Sequence, residues 1–129
     1  MTVTGRPPYE PDNVFARILR GEIPCKRIHE DSYALAFHDI APQAPVHVLV
    51  IPKGPWCSAA DFHAGASAEE IAGFWRAVAL VARELGLEQT GYRILSNMGA
   101  DAGQEVGHLH VHLFGGRRLG RMLPGSSPA

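Results

Sequence analysis

Residues 108–112 read His-Leu-His-Val-His, and Leu113, Phe114, Gly115, Gly116 and Arg117 follow. Strict alternation with aliphatic residues predicts a strand over His108 to Phe114. On a strand, side chains at i, i+2 and i+4 share a face. His108, His110 and His112 then form a row, with successive rings ~6.6 Å apart along the chain. Leu109, Val111 and Leu113 cover the opposite face. Two chemistries suit such a row. Neutral imidazole is a common metal ligand, and histidines at i and i+2 can reach one zinc or copper ion. A third ligand from elsewhere is then needed, and no acid follows the row closely. Imidazole is also a good nucleophile toward phosphorus, with an unperturbed pKa of ~6.5. In that case the middle ring, His110, is the natural attacking group, flanked by imidazoles that can contact phosphoryl oxygens. A strand with ordinary surface histidines is the plain alternative.

The segment before the row favours phosphate. Asn97, Gly99, Asp101, Gly103 and Gln104 make a polar, glycine-bearing loop. Glycines let backbone N–H groups come close to an anion. The histidine row is joined directly to that loop.

The rest of the chain must supply the frame. It has 129 residues, enough for one domain with a real core. The formal net charge of −1 and the lack of a basic cluster point away from nucleic acid. Arg117, Arg118 and Arg121 are the nearest approach to one, and read as a solvated loop or a local anion contact. Cys25 and Cys57 stand far apart, outside any Cys-x-x-Cys spacing, so neither a structural zinc module nor a disulfide framework is expected. No apolar run suits a signal peptide or a membrane span. The expectation is a cytoplasmic protein that uses no membrane.

Residues 1–12 carry Pro7, Pro8 and Pro11 and read as a flexible arm. Asn13 is a candidate N-cap for a short helix over Val14 to Arg20. Strands are predicted over Lys26 to Glu30 and Tyr33 to His38, with a turn at Asp31 and Ser32. The β-branched run Val46 to Ile51 predicts a strand buried on both faces. Cys57 to His63 is compatible with a short helix or a loop. Ser67 and Glu70 form a capping box opening a long helix to Gly86, with Ile71, Phe74, Trp75, Val78, Val81, Ala82 and Leu85 on one face. A further strand is predicted over Tyr92 to Asn97. Residues 125–129 read as a tail. Such elements predict an α+β domain over residues 13–124, with a five-stranded antiparallel sheet, one long helix and one short one.

With these residues in view, the chain resembles the histidine triad (HIT) superfamily. The motif from His108 to Arg117 is similar to the family's His-φ-His-φ-His-φ-φ pattern. Gly91-Tyr92-Arg93, Asn97, Gly103-Gln104-Glu105-Val106 and Gly115-Gly116-Arg117 resemble the Hint branch, the histidine triad nucleotide-binding proteins. Phe15 through Pro24 and Ala36 through His47 are similar to that branch's opening helix and nucleoside-pocket segment.

The resemblance implies a HIT-like fold and a homodimer whose two sheets join into one. It implies a purine nucleoside monophosphate or phosphoramidate as ligand, and P–N cleavage through a nucleotidyl-histidine at His110. A dinucleoside polyphosphate hydrolase and a non-catalytic AMP-binding protein are alternatives. On this resemblance the His108 carbonyl orients His110, and His112 and His47 sit beside the phosphate and leaving group. Asp39 holds the ribose hydroxyls, and Phe15, Ile18, Phe37 and Ile40 enclose the base. Asn97, Gly103, Gln104, Glu105 and Val106 contribute to the nucleotide site. No cofactor and no metal are implied. Two positions depart from common family patterns: Gly107, where many relatives carry an aromatic residue, and Glu105, where some carry serine.

Overall fold

The computed structural model describes residues 3–123. The expected tail at 125–129, Pro124 and the first two residues lie outside that range. Among the described residues are three helices and five strands: α1 (Val14–Leu19), β1 (Arg27–Glu30), β2 (Ala34–His38), β3 (Val46–Pro52), α2 (Ala59–Gly65), α3 (Ala68–Glu84), β4 (Arg93–Leu95) and β5 (Val111–Gly115). The strands form one antiparallel sheet in the order β1-β2-β3-β5-β4. The α+β class and the five-stranded antiparallel sheet are as expected. The helix inventory differs, because α2 adds a second short helix.

Local chemistry explains the boundaries. Asn13 caps α1 by accepting the Ala16 amide at 2.9 Å. The Asp31 carboxylate accepts the amides of Tyr33 and Ala34, closing the β1–β2 turn. Ser67 and Glu70 form the expected capping box at the start of α3. Ser58 and Asp61 form another, and it holds the seven-residue α2 that hydrophobic periodicity alone leaves open.

The central strand β3 is buried along nearly its whole length and divides two cores. Val48 and Val50, with Ala34, Ala36, Val111 and Leu113 from neighbouring strands, face α3 and meet Phe74, Ala77, Val78 and Val81. Phe62 from α2 joins them, its ring edge-on to Phe74 at 5.4 Å. Burying each such aromatic contributes about 2–3 kcal/mol. Leu49 and Ile51 point the other way, toward Phe15 and Ile18 of α1, with Leu35 and Phe37 from β2. Helix α1 covers only part of this second face, and the remainder carries the histidines.

One expectation changes here. The regular ladder of the histidine strand begins at Val111, so His108, Leu109 and His110 precede the paired segment. The side-chain alternation nevertheless continues through them. The chain before α1, expected as a flexible arm, makes contacts with the domain. Gly5 is buried, and its carbonyl accepts the Ser58 hydroxyl at 2.6 Å. The Tyr9 hydroxyl reaches His108. These ties are made by a backbone carbonyl and one phenol, which explains why a proline-rich, weakly apolar stretch gave no sign of them.

Candidate active site

The site is built on the second face of the sheet, where β3 and β5 run side by side. His47 of β3 pairs with Phe114 of β5, and Leu49 pairs with His112. Period-two alternation puts His47, His112 and Phe114 on one face, and His110 follows the same alternation one step earlier. The His110 and His112 ring centroids lie 5.2 Å apart. Phe15 of α1 closes over His110 edge-on at 4.9 Å and also meets Phe37 at 5.7 Å.

Hydrogen bonds assign a tautomer to each ring, and that of His110 differs from the others. His110 Nδ1 lies 2.7 Å from the His108 carbonyl oxygen. A carbonyl only accepts, so the hydrogen sits on Nδ1 and Nε2 keeps a free lone pair. The His110 carbonyl in turn accepts the Ser96 hydroxyl at 2.8 Å. His108 Nε2 is 2.9 Å from the Pro52 carbonyl and therefore donates, while its Nδ1 accepts from the Tyr9 hydroxyl at 2.5 Å. Both nitrogens of His108 are thus committed to the protein.

His47 and His112 form a directed chain. The Gln43 amide donates to His47 Nδ1 at 3.1 Å, which requires the hydrogen on Nε2. That Nε2–H donates to His112 Nδ1 at 2.9 Å, with Asp39 Oδ2 3.4 Å away. His112 then carries its own hydrogen on Nε2, where it can be offered to an oxyanion. The ring of His47 packs at 4.2 Å from Phe114.

Burial keeps these rings neutral. It pushes His108 and His112 down to about 4, with neighbouring imidazoles adding to the effect. It also lowers His110, against the His108 carbonyl bond and the negative charges of Asp39 and Glu105. His47 is lowered by burial, opposed by Asp39. A buried imidazole held neutral with a bare Nε2 is poised to attack an electrophile.

A metal ion needs a different arrangement. Ligand atoms of Asp39, His47 and His112 all lie within 4.8 Å of one another, close enough to surround an ion. Coordination through His47 Nε2 would move the ring hydrogen to Nδ1, where it would meet the Gln43 amide, itself a donor. The set therefore fits a hydrogen-bond chain better than a metal centre. The trio His108, His110 and His112 fits still less well, since Pro52, Tyr9 and the His108 carbonyl already take three of its ring nitrogens.

The remaining expected residues differ in burial and in partners. Asp39 and Ile40 line an open cavity of about 760 Å³ together with His47, Lys26 and Pro42. Ile40 is fully exposed at its rim, while Phe15, Ile18 and Phe37 are buried beside it in the α1 core. Asp39 Oδ1 accepts the Ala41 amide at 2.8 Å. Asn97 is half-buried and Gly103 is exposed with φ 77°, in a turn that favours glycine. Gln104 is buried, but its amide is spent on the backbone of Gly99, Cys57 and Val106, so it shapes the loop. Val106 packs against the α1 core.

Glu105 is exposed. With Val106 and Gly107 it borders a second cavity of about 510 Å³, whose other wall is the chain before α1. Sequence reasoning missed Tyr9, Ser96 and Phe114 as site residues. Only Phe114 carried a usable signal, the continued alternation two residues after His112.

The sequence profile of the HIT domain matches residues 20–119. This chain belongs to the HIT family. It is 64% identical over 115 residues to a HIT-like protein of Azospirillum brasilense, covering 89% of this chain and 94% of that one. It is 41% identical over 113 residues to the purine nucleoside phosphoramidase of Escherichia coli K12, covering 87% and 93%. Among solved structures, a HIT family hydrolase from Clostridium thermocellum superposes with a TM-score of 0.81 at 38% identity, covering 88% of this chain and 99% of that one. The matched region spans α3 and every strand of the sheet, so the HIT profile takes in the whole histidine-bearing face of β3 and β5.

Proposed function

We propose that this HIT protein is a purine nucleoside phosphoramidase. It binds a purine nucleoside 5'-phosphoramidate and cleaves the P–N bond through a covalent nucleotidyl-histidine. The observation that carries this reading is the His110 ring, with its Nδ1–H given to the His108 carbonyl and Nε2 bare. The activity named for the Escherichia coli relative agrees with it.

In this reading His110 Nε2 attacks phosphorus and the amine departs. The phosphoryl oxygens take the Nε2–H of His112, whose orientation comes from His47 and the Gln43 amide. Asp39 accepts the ribose hydroxyls, where a carboxylate makes strong charge-assisted bonds. Phe15, Ile18, Phe37 and Ile40 give the base an apolar slot, and Asn97, Gly103 and Val106 border the phosphate. An ionised Glu105 has no hydrogen to donate, so the departing amine takes its proton from solvent on that open side. Water then attacks phosphorus, breaks the P–Nε2 bond and releases the nucleoside monophosphate.

The protein is further proposed to work as a homodimer whose sheet continues across the interface. The edge strand β4 has three residues and an exposed Ile94, which leaves a short edge for a second copy to cover. No helix among the described residues is long and apolar enough to cross a membrane. The two cysteines are free thiols, which suits a cytoplasmic setting. The deciding experiment compares turnover of adenosine 5'-phosphoramidate with that of diadenosine polyphosphates. Release of AMP and amine, faster than polyphosphate cleavage, supports the reading; binding of AMP without turnover of either overturns it.

A further inference from the structure

We propose that Tyr9, in the segment before α1, is a positioning residue for His110 and acts through His108. The proposal rests on His110 being the nucleophile. Tyr9 precedes the region matched by the HIT profile, which begins at residue 20.

The need for such a residue comes from the end of the ladder. Strand β5 pairs with β3 only from Val111 onward. His108 carries the carbonyl that sets the His110 tautomer, yet it sits three residues outside that paired segment. Something other than sheet pairing must hold residue 108 in place. The Leu109 amide donates to the Trp56 carbonyl at 2.8 Å, and this is one tie. The other is the His108 ring itself. Its Nε2–H is held by the Pro52 carbonyl at 2.9 Å and its Nδ1 by the Tyr9 hydroxyl at 2.5 Å. The Tyr9 ring meets that of His108 edge-on at 5.6 Å. A ring fastened at both nitrogens cannot rotate about χ2, so the carbonyl of the same residue stays aimed at His110 Nδ1, 2.7 Å away.

Tyr9 is itself braced. Upstream, the Gly5 carbonyl accepts the buried Ser58 hydroxyl at 2.6 Å. A Cβ on Gly5 would stand 2.7 Å from Gln104 Oε1 and 3.1 Å from the Gly99 amide nitrogen, so the segment lies directly on the loop before the histidines. Downstream, the Glu10 carbonyl accepts the side-chain and main-chain N–H groups of Asn13 at 2.8 and 3.2 Å. The hydroxyl is therefore delivered from a segment fixed on both sides.

The test is Tyr9→Phe, which keeps the ring and removes only the donor. Nitrogen-15 NMR of the imidazoles reads the effect without substrate. The wild-type protein should show His110 in a single tautomer with a slowly exchanging Nδ1–H. Tyr9→Phe should speed exchange of that hydrogen by about tenfold and bring in the Nε2–H form. Its kcat should fall by roughly 5–50-fold with nucleotide affinity within about twofold, since a misaimed reacting group costs rate rather than binding. Tyr9→His, whose ring N–H can donate to His108 Nδ1, should recover part of both.

Val78→Ala, on the opposite face, supplies a loss of stability that should leave the His110 signal unchanged. The proposal is overturned if Tyr9→Phe leaves the Nδ1–H signal and kcat unchanged, or if Val78→Ala alters them equally. Failure of the wild type to cleave phosphoramidates would refute the proposed activity alone, because the NMR comparison reads positioning directly.

Discussion

The two faces of the sheet are made by alternate residues of the same strands, and they differ in what they bury. The face toward α3 carries Val48, Val50, Val111 and Leu113, all completely buried among apolar neighbours. The face toward α1 carries His47, His110 and His112, each with at least one ring nitrogen in a hydrogen bond. Apolar packing asks only for volume, so the first face is stable without direction. Burying polar rings is costly unless each hydrogen finds an acceptor, so the second face is directional throughout. Side chains two residues apart on β5 thus serve either stability or chemistry.

Substitutions can separate the two faces. The largest effect is expected for His110→Ala. Turnover should fall by at least about a thousandfold, because no other imidazole of the row combines an Nδ1–H held by a backbone carbonyl with a bare Nε2. AMP should still bind, as calorimetry can verify. Next comes Phe74→Ala on the α3 face, which should cost about 3–5 kcal/mol of unfolding free energy in a denaturant titration. The fraction still folded should keep its kcat. If kcat fell in step with stability, the two faces would not be separable.

Asp39→Asn should raise KM by about tenfold with a smaller change in kcat, since on the proposed reading the weaker acceptor would meet the ribose rather than phosphorus.

A gentler probe is pH. His108 and His112 titrate near 4 when folded and near ~6.5 when unfolded, so the unfolded chain binds more protons between those values. Stability should be flat above about pH 7 and fall as pH drops from ~6.5 toward 4. His108→Phe, which cannot titrate, should flatten part of that slope. The rate should also fall in acid, with its limb below the ordinary imidazole value, because burial lowers His110 and the protonated ring cannot attack.

Much of this division could be read from residue order. The β-branched run of β3 announced burial on both faces, and Ser67 with Glu70 announced the start of α3. The histidine alternation placed three rings on one side. It did not reveal that their roles diverge, because tautomers depend on partners distant in sequence. His108 meets Pro52 and Tyr9, and His112 meets His47, itself held by Gln43. Gln104 read as part of the nucleotide site, and in the fold its amide is bonded to the backbone of Gly99, Cys57 and Val106. Helix α2 is only seven residues long and rich in alanine, so its capping box outweighs its periodicity. The brace from Gly5 to Tyr9 runs through a carbonyl and a single hydroxyl, and no local pattern encodes either contact.

On the proposed mechanism, His110 alone becomes covalently linked to the nucleotide. Rapid acid-free quenching during turnover of adenosine 5'-phosphoramidate, followed by peptide mass spectrometry, tests it directly. An AMP adduct should appear on the peptide spanning the histidine row, assigned by fragmentation to His110 and absent from His110→Ala. Steady turnover with no adduct, or an adduct on His108 or His112, would contradict it.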